Sequence, residues 1–229
     1  ATQSEFITDY FLREVSPALA TIILSELDAF PALKDSAAYL AVRMVMSEND
    51  TNFKDKINYA LIEVPAVIDR FVELPEENGQ KYIILLDDLI RHCFGIIFSI
   101  FDYESIAAHM IKITRDAELD IDSDLSRSFL DKISKSVAKR SSGDPVRFVY
   151  DRTIAPETLK FLMVKMNIDS TDSIIPGGRY HNRRDYMKFP SLGRTDLLYE
   201  TKRPLPIAGL SFQGSLLAKI AQKDYLLQV

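Results

Sequence analysis

Apolar residues first recur at helical spacing. Phe6, Tyr10, Phe11 and Val15 fall on one face, which predicts an amphipathic helix over 4–15 with Ser4 as its N-cap. Pro17 marks its end, and the stretch from Leu27 to Asp35 around Pro31 reads as loop. The period then changes to two. Tyr39, Ala41, Arg43 and Val45 interleave with Leu40, Val42, Met44 and Met46, the polar run 47–51 follows, and 56–64 reads as a second strand. Together they predict a hairpin with a longer connection than the tight two-residue kind. Phe71-Val72 and 81–86 form two further short strands, parted by Glu76-Glu77-Asn78-Gly79. A helix then runs through Leu89, Ile90, Cys93 and Phe94, opened by Asp87 or Asp88.

The middle of the chain repeats the scheme. Residues 106–114 predict a strand. Leu125, Phe129, Ile133 and Val137 step every four residues, which predicts a long helix over 122–140. Strand 146–150 and helix 156–166 follow, the latter with Pro156 in its first turn, where a missing N–H costs nothing. From Ile168 onward the pattern weakens. Pro176, Gly177, Gly178, Pro190, Gly193, Pro204, Pro206, Gly209 and Gly214 punctuate a loop-rich quarter that ends in a short helix over 216–222. Helices alternating with hairpins, without βαβ regularity, predict an α+β fold: a mainly antiparallel sheet with helices packed against it. The expected division is an α+β core over 1–167 and a loop-rich extension of the same domain over 168–229.

Composition narrows the class. The chain has 229 residues, 47% hydrophobic and 27% charged, with a formal charge of −5. That is globular rather than disordered composition. The single cysteine, Cys93, forms no internal disulfide and excludes a secreted disulfide scaffold, so a reducing compartment, the cytoplasm, is expected. The acidic balance argues against a duplex-DNA partner. No apolar run approaches the ~20 residues of a transmembrane helix. The chain opens at Ala1 and stops at Val229 in mid-pattern, and we expect an excised piece of something longer.

Chemistry is concentrated in one place. Within Pro176-Gly-Gly-Arg-Tyr-His-Asn-Arg-Arg-Asp-Tyr-Met-Lys188, the cations Arg179, Arg183, Arg184 and Lys188 face only Asp185, and Arg194 lies just beyond. Gly177-Gly178 would let backbone N–H groups approach a ligand, and Arg forks match phosphate oxygens. Tyr180, His181 and Asn182 add neutral donors. Two readings stay open: a polyanion contact, or a loop whose arginines pair with acids elsewhere on an acidic surface. The sequence is not a P-loop, since no Gly-Lys-Ser/Thr follows. Asp116, Glu118 and Asp120 could hold a divalent cation, although a charged turn with local ion pairs suits them better. His92, His109 and Cys93 read as packing residues. Nucleophile elbows, zinc-protease motifs and cysteine-nucleophile contexts are all missing from the sequence, so no catalytic or metal-binding residue is assigned.

Several stretches resemble the bacterial polyphosphate kinase family: Tyr39-Leu-Ala-Val-Arg43, Tyr59-Ala-Leu-Ile-Glu-Val-Pro65, Arg70-Phe-Val-Glu-Leu-Pro75, Ile84-Leu-Leu-Asp-Asp-Leu-Ile-Arg91, Phe101-Asp-Tyr103, Lys112-Ile-Thr-Arg-Asp-Ala-Glu118 and Pro145-Val-Arg-Phe-Val-Tyr150. The most specific is Asp172-Ser-Ile-Ile-Pro-Gly-Gly-Arg-Tyr-His-Asn182, followed by Phe189-Pro190 and Gly193. The resemblance implies the head, or middle, domain of an enzyme that moves the terminal phosphate of ATP reversibly onto polyphosphate through a phosphohistidine. It places the catalytic histidines and the metal-linked arginines in C-terminal domains that lie outside this chain. ATP and Mg are therefore expected in the parent enzyme and not on this fragment, which alone should be inactive. The implied partners are the N- and C-terminal domains, a second subunit in a homo-oligomer, and polyphosphate along a tunnel. The parent would be cytoplasmic, with attachment at the periphery of the inner membrane as a variant of that expectation. The alternative to this reading is a stand-alone polyanion- or RNA-binding module.

Overall fold

The computed structural model describes residues 2–24, 30–35, 37–48, 55–115, 145–168, 173–180, 183–200, 202 and 215–225. The chain divides into two compact units, Ala1–Pro190 and Ser191–Val229. The helix expected over 122–140 lies outside the described residues.

The first unit is built on a six-stranded sheet. Its strands are β1 (Ala20–Ile23), β2 (Ala38–Met46), β3 (Ile57–Glu63), β6 (Tyr103–Arg115), β7 (Pro145–Asp151) and β8 (Ser173–Gly177), in the order β1-β3-β2-β6-β7-β8. Every neighbouring pair is antiparallel except β7 and β8, which run parallel. The sheet is thus mainly antiparallel, as expected, with one β-α-β connection through α4 (Pro156–Lys165). That connection was hidden in the sequence because β8, Ser-Ile-Ile-Pro-Gly, sits inside the loop-rich quarter. A separate hairpin pairs β4 (Phe71–Glu77) with β5 (Gln80–Leu85). Its turn is tighter than the four polar residues suggest. Asn78 and Gly79 alone carry it, with φ of 51° and 75°, values that Asn and Gly adopt most readily.

The two-residue period of β2 sorts its side chains between two cores. Leu40, Val42, Met44 and Met46 share one cluster with Met110 and Ile62. On that face pack Ile7 and Phe11 near the N-terminus, α2 (Leu86–His92) and α3 (Phe94–Ile97). Tyr39 and Ala41 face the other cluster with Leu61, Ile111, Phe148 and Leu162 of α4. β2 is therefore covered on both faces, which is why its sequence is almost continuously apolar. Helix α1 (Gln3–Tyr10) starts two residues earlier than an N-cap at Ser4 would place it. Thr2 is the N-cap, accepting from the Glu5 N–H at 3.3 Å while the Glu5 carboxylate accepts from the Thr2 N–H at 2.8 Å. This reciprocal capping box satisfies two orphan donors at once, which Ser4 could not do. A π turn over Phe11–Val15 then buries both Phe11 and Val15.

The second unit contains a 3-10 turn at Thr195–Leu197 and α5 (Leu216–Gln222), whose N-cap Ser215 accepts from the Ala218 N–H. The short helix falls where the sequence places it.

Candidate functional site

The site begins where β5 runs directly into α2. Leu85 is still extended and offers no capping side chain, so neither Asp87 nor Asp88 opens the helix; it starts at Leu86. The Arg70 carbonyl accepts from the Leu86 N–H at 2.8 Å. The Arg70 guanidinium donates to Asp87, which is fully buried. One arginine thus ties the helix start through its backbone and its charge together. Burial pushes the Asp87 carboxyl above its ordinary value, against the pull of Arg70 and then Arg91.

Asp88, one residue on, points elsewhere and gathers three side chains. Arg91, on the next turn of α2, donates through Nη1 at 2.8 Å. Arg179 donates through Nη2 at 2.6 Å and Nε at 3.2 Å. The Tyr180 hydroxyl donates to the other carboxylate oxygen at 2.5 Å. Arg179 and Tyr180 arrive here because β8 ends at Gly177, whose carbonyl accepts from both the backbone N–H and Nε of Arg152. Burial alone would raise the Asp88 carboxyl, but the bonds from Tyr180 and Arg179 and the charges of Arg91 and Arg179 hold it below its ordinary value. The same hydrogen bond raises Arg179. Tyr180 is raised by burial and by its bond to Asp88.

The segment after Tyr180 continues over the neighbouring hairpin. Residues Arg183–Lys188 form a 3-10 turn. Asp185 stands 3.8 Å from Arg70, and Lys188 stands 3.7 Å from Asp69. Tyr186 and Phe189 meet the Phe71 ring edge-on, at centroid distances of 5.5 and 5.1 Å. Of the residues singled out from the sequence, Arg179 and Tyr180 therefore converge on Asp88, and Lys188 pairs with Asp69. His181 and Asn182 lie outside the described residues, as do the side chains of Arg183 and Arg184. Gly177 ends β8 in register with Asp151, and neither Gly177 nor Gly178 has a positive φ. The glycine pair closes a strand here and does not form a nest of N–H groups.

Asp87, Asp88, Arg70 and Arg91 were not singled out as site residues. Their signal was present: two adjacent carboxylates inside the apolar run Ile84-Leu-Leu-Asp-Asp-Leu-Ile90 cannot both reach water from one helix face. Among the described residues, no group of three or more His, Cys, Asp and Glu could hold a metal ion. Asp116, Glu118 and Asp120 lie outside them. No described helix is long and apolar enough to cross a membrane.

The two motifs that meet at Asp88, residues 84–91 and 172–182, are two of the stretches that carry the family resemblance. A family model for the polyphosphate kinase middle domain matches residues 2–189. The chain belongs to that family. Polyphosphate kinase from Vibrio parahaemolyticus is 40% identical across 98% of this chain, and the match covers 32% of that protein. The Escherichia coli K12 polyphosphate kinase is 37% identical across 89% of this chain and 29% of its own length. The crystal structure of polyphosphate kinase from Porphyromonas gingivalis superposes with a TM-score of 0.66 at 28% identity, covering 98% of this chain and 31% of that one. This middle domain therefore spans about a third of the length of the curated relatives it matches. Its α+β architecture is the one found in the solved polyphosphate kinase.

Proposed function

We propose that this middle domain serves assembly in an enzyme that transfers the terminal phosphate of ATP reversibly to polyphosphate. On this reading it supplies no catalytic residue, and ATP, Mg and the phosphohistidine belong to the parent's C-terminal domains. The observation that carries the reading is the placement of the basic motif. Arg179, Tyr180 and Lys188 are committed to Asp88 and Asp69 of the same unit. A strut of this kind fixes the path of the chain after β8 within the first unit. The second unit supports the reading from its own side: Leu197, Leu198, Tyr199 and Leu217 are all largely exposed there, as apolar docking residues would be without their partner. The partners would be the N- and C-terminal domains and a second subunit, in the cytoplasm.

The test is ATP-dependent polyphosphate synthesis together with sedimentation. The chain alone should make no polymer. In the parent enzyme, Asp88→Asn should lower activity in step with the loss of oligomer. The double charge reversal Arg183→Glu/Arg184→Glu should leave KM for polyphosphate unchanged. Synthesis by the chain alone, or a large rise in that KM, would overturn the reading.

A further inference from the structure

Strand β3 ends at Glu63, and Pro65 then removes the next backbone donor. The Val64 N–H still reaches the Ala38 carbonyl at 2.9 Å. The chain turns there, with the Ile68 N–H donating to the Pro65 carbonyl at 3.4 Å. The 3-10 turn over Arg183–Lys188 borders this corner, with Asp185 at 3.8 Å from Arg70. Between the two turns, inside the first unit, lies a cleft of about 500 Å³. That volume falls within the range of specific binding sites.

Three observations give the cleft its chemistry. First, Ala38, Val64, Pro65, Ile68 and Met187 make much of its lining apolar. Met187 is 85% exposed and Val67, in the turn, 86%, so apolar surface reaches the mouth. Second, the charged lining is acidic. Glu63, Asp69 and Asp185 stand against Arg70 and Lys188. Arg70 is already paired with the buried Asp87, and Lys34 answers Glu63 at 2.7 Å. Four carboxylates against three cations leave one negative charge. The cleft therefore disfavours a polyanion and attracts a cation. Third, Lys188 shows in cis which cation fits. Its ammonium stands 3.7 Å from Asp69, and both side chains are 78% exposed. A pair so exposed is weak, so an incoming ammonium competes with Lys188 on nearly equal terms. A lysine stem lies readily along apolar surface while its head stays with the charge.

We propose that the cleft between the Pro65–Arg70 turn and the Arg183–Lys188 turn docks a basic, apolar segment of a partner protein. A lysine of that segment takes the place of Lys188 at Asp69, and its apolar neighbours cover Met187 and Val67. Charge complementarity selects this occupant: an acidic segment meets three carboxylates, and a purely apolar one leaves them unanswered. The cleft is formed by the first unit alone and does not depend on the assembly reading.

The experiment follows the methionine methyl groups of the chain by NMR, with Met187→Leu giving the assignment. The probes are the blocked peptide Leu-Lys-Ala-Leu-Lys, its counterpart with Glu in place of Lys, and n-butylamine, all at matched ionic strength. The lysine peptide should shift the Met187 signal and leave the buried Met44 and Met110 in place, and the glutamate peptide should not. Asp69→Asn should weaken the lysine peptide roughly two- to fivefold, the range of an exposed ion pair. Lys188→Ala removes the competing ammonium and should tighten the peptide by a similar factor. Added salt should weaken it in the native chain. n-Butylamine should move Met187 only at far higher concentration, since it lacks the apolar neighbours. An equal response to both peptides, or a lysine-peptide response unchanged in both variants, overturns the site. A response to n-butylamine matching that to the peptide overturns the segment as its occupant.

Discussion

Residues 173–190 and residues 191–225 share a composition but not a fate. Both are punctuated by Gly and Pro. In the first stretch Ser173–Gly177 becomes the end strand of the sheet, parallel to β7, Arg179 and Tyr180 close on Asp88, and Tyr186 and Phe189 sit on Phe71. In the second, Arg194 pairs with Asp196 two residues away, and Tyr199 is fully exposed. In the first stretch, the complement of each anchoring side chain lies within the same unit. A carboxylate with three donors, or a ring with two ring neighbours, fixes a segment that backbone propensity alone leaves undecided.

The largest effect is expected where the anchor of the first stretch is buried. Asp87→Ala removes the close carboxylate partner of the Arg70 guanidinium, 11% exposed, and leaves the longer contact to Asp185 at 3.8 Å. Breaking a buried pair from one side costs about 3–5 kcal/mol. For a chain of this size each kcal/mol lowers Tm by about 2–4 °C, so a fall of roughly 10 °C is expected in a thermal melt followed by circular dichroism. The change also loosens the Asp185 contact to Arg70 and should make the two stretches more alike. A melt within about 2 °C of the native chain would show that the Arg70 anchor does not hold the segment.

Asp88→Asn should cost less, about 2–3 kcal/mol, because the carboxylate is partly exposed and Arg179 is half solvated. Its pH dependence has a definite sign. The folded Asp88 carboxyl lies below its ordinary value. Its contribution is therefore complete above the unfolded carboxylate range and is lost as pH falls through the depressed folded value. Asp87 has the opposite sign, since its folded value is raised; protonation there relieves a buried charge. Denaturant melts of the native chain between about pH 2.5 and 6, a window spanning the carboxylate range, should lose stability on the acid side, and Asp88→Asn should flatten that limb. Cys93, buried and pushed up to about 11, gives a second reading. Its labelling by a disulfide reagent should be slow in the native chain and faster in Asp88→Asn. An acid limb as steep in the variant as in the native chain would assign the loss to other carboxylates.

Much of this was legible in the sequence, and the rest was not for identifiable reasons. The apolar run 39–46, interrupted by Arg43, carried β2 and its hairpin to β3 because a strand buried on both faces reads as a nearly continuous hydrophobic stretch. The helix over 216–222 was legible from its own short pattern. β8 was not, since five residues containing Pro176 and Gly177 become a strand only by pairing with β7. The basic motif was visible as chemistry, but its partner was not. Asp88 lies 91 positions from Arg179, and no local pattern in either segment names the other. The family resemblance marked both motifs without saying that they touch.

The smallest effects separate burial from mere proximity. Tyr180→Phe removes one hydrogen bond to a charged acceptor and should cost about 1 kcal/mol, enough to speed Cys93 labelling measurably. Lys188→Ala should do almost nothing. Lys188 and Asp69 are each 78% exposed at 3.7 Å, and exposed pairs contribute about 0–1 kcal/mol, less in salt. Both variants lie on the same segment and both remove a polar contact to the first unit, so the two melts form an internal control. If residues 173–190 are held by the Asp88 cluster, Tyr180→Phe moves the transition and Lys188→Ala leaves it in place. Equal shifts would mean that the segment is held by its summed charge, and that the contrast with residues 191–225 rests on electrostatics instead of on the Asp88 hydrogen-bond cluster.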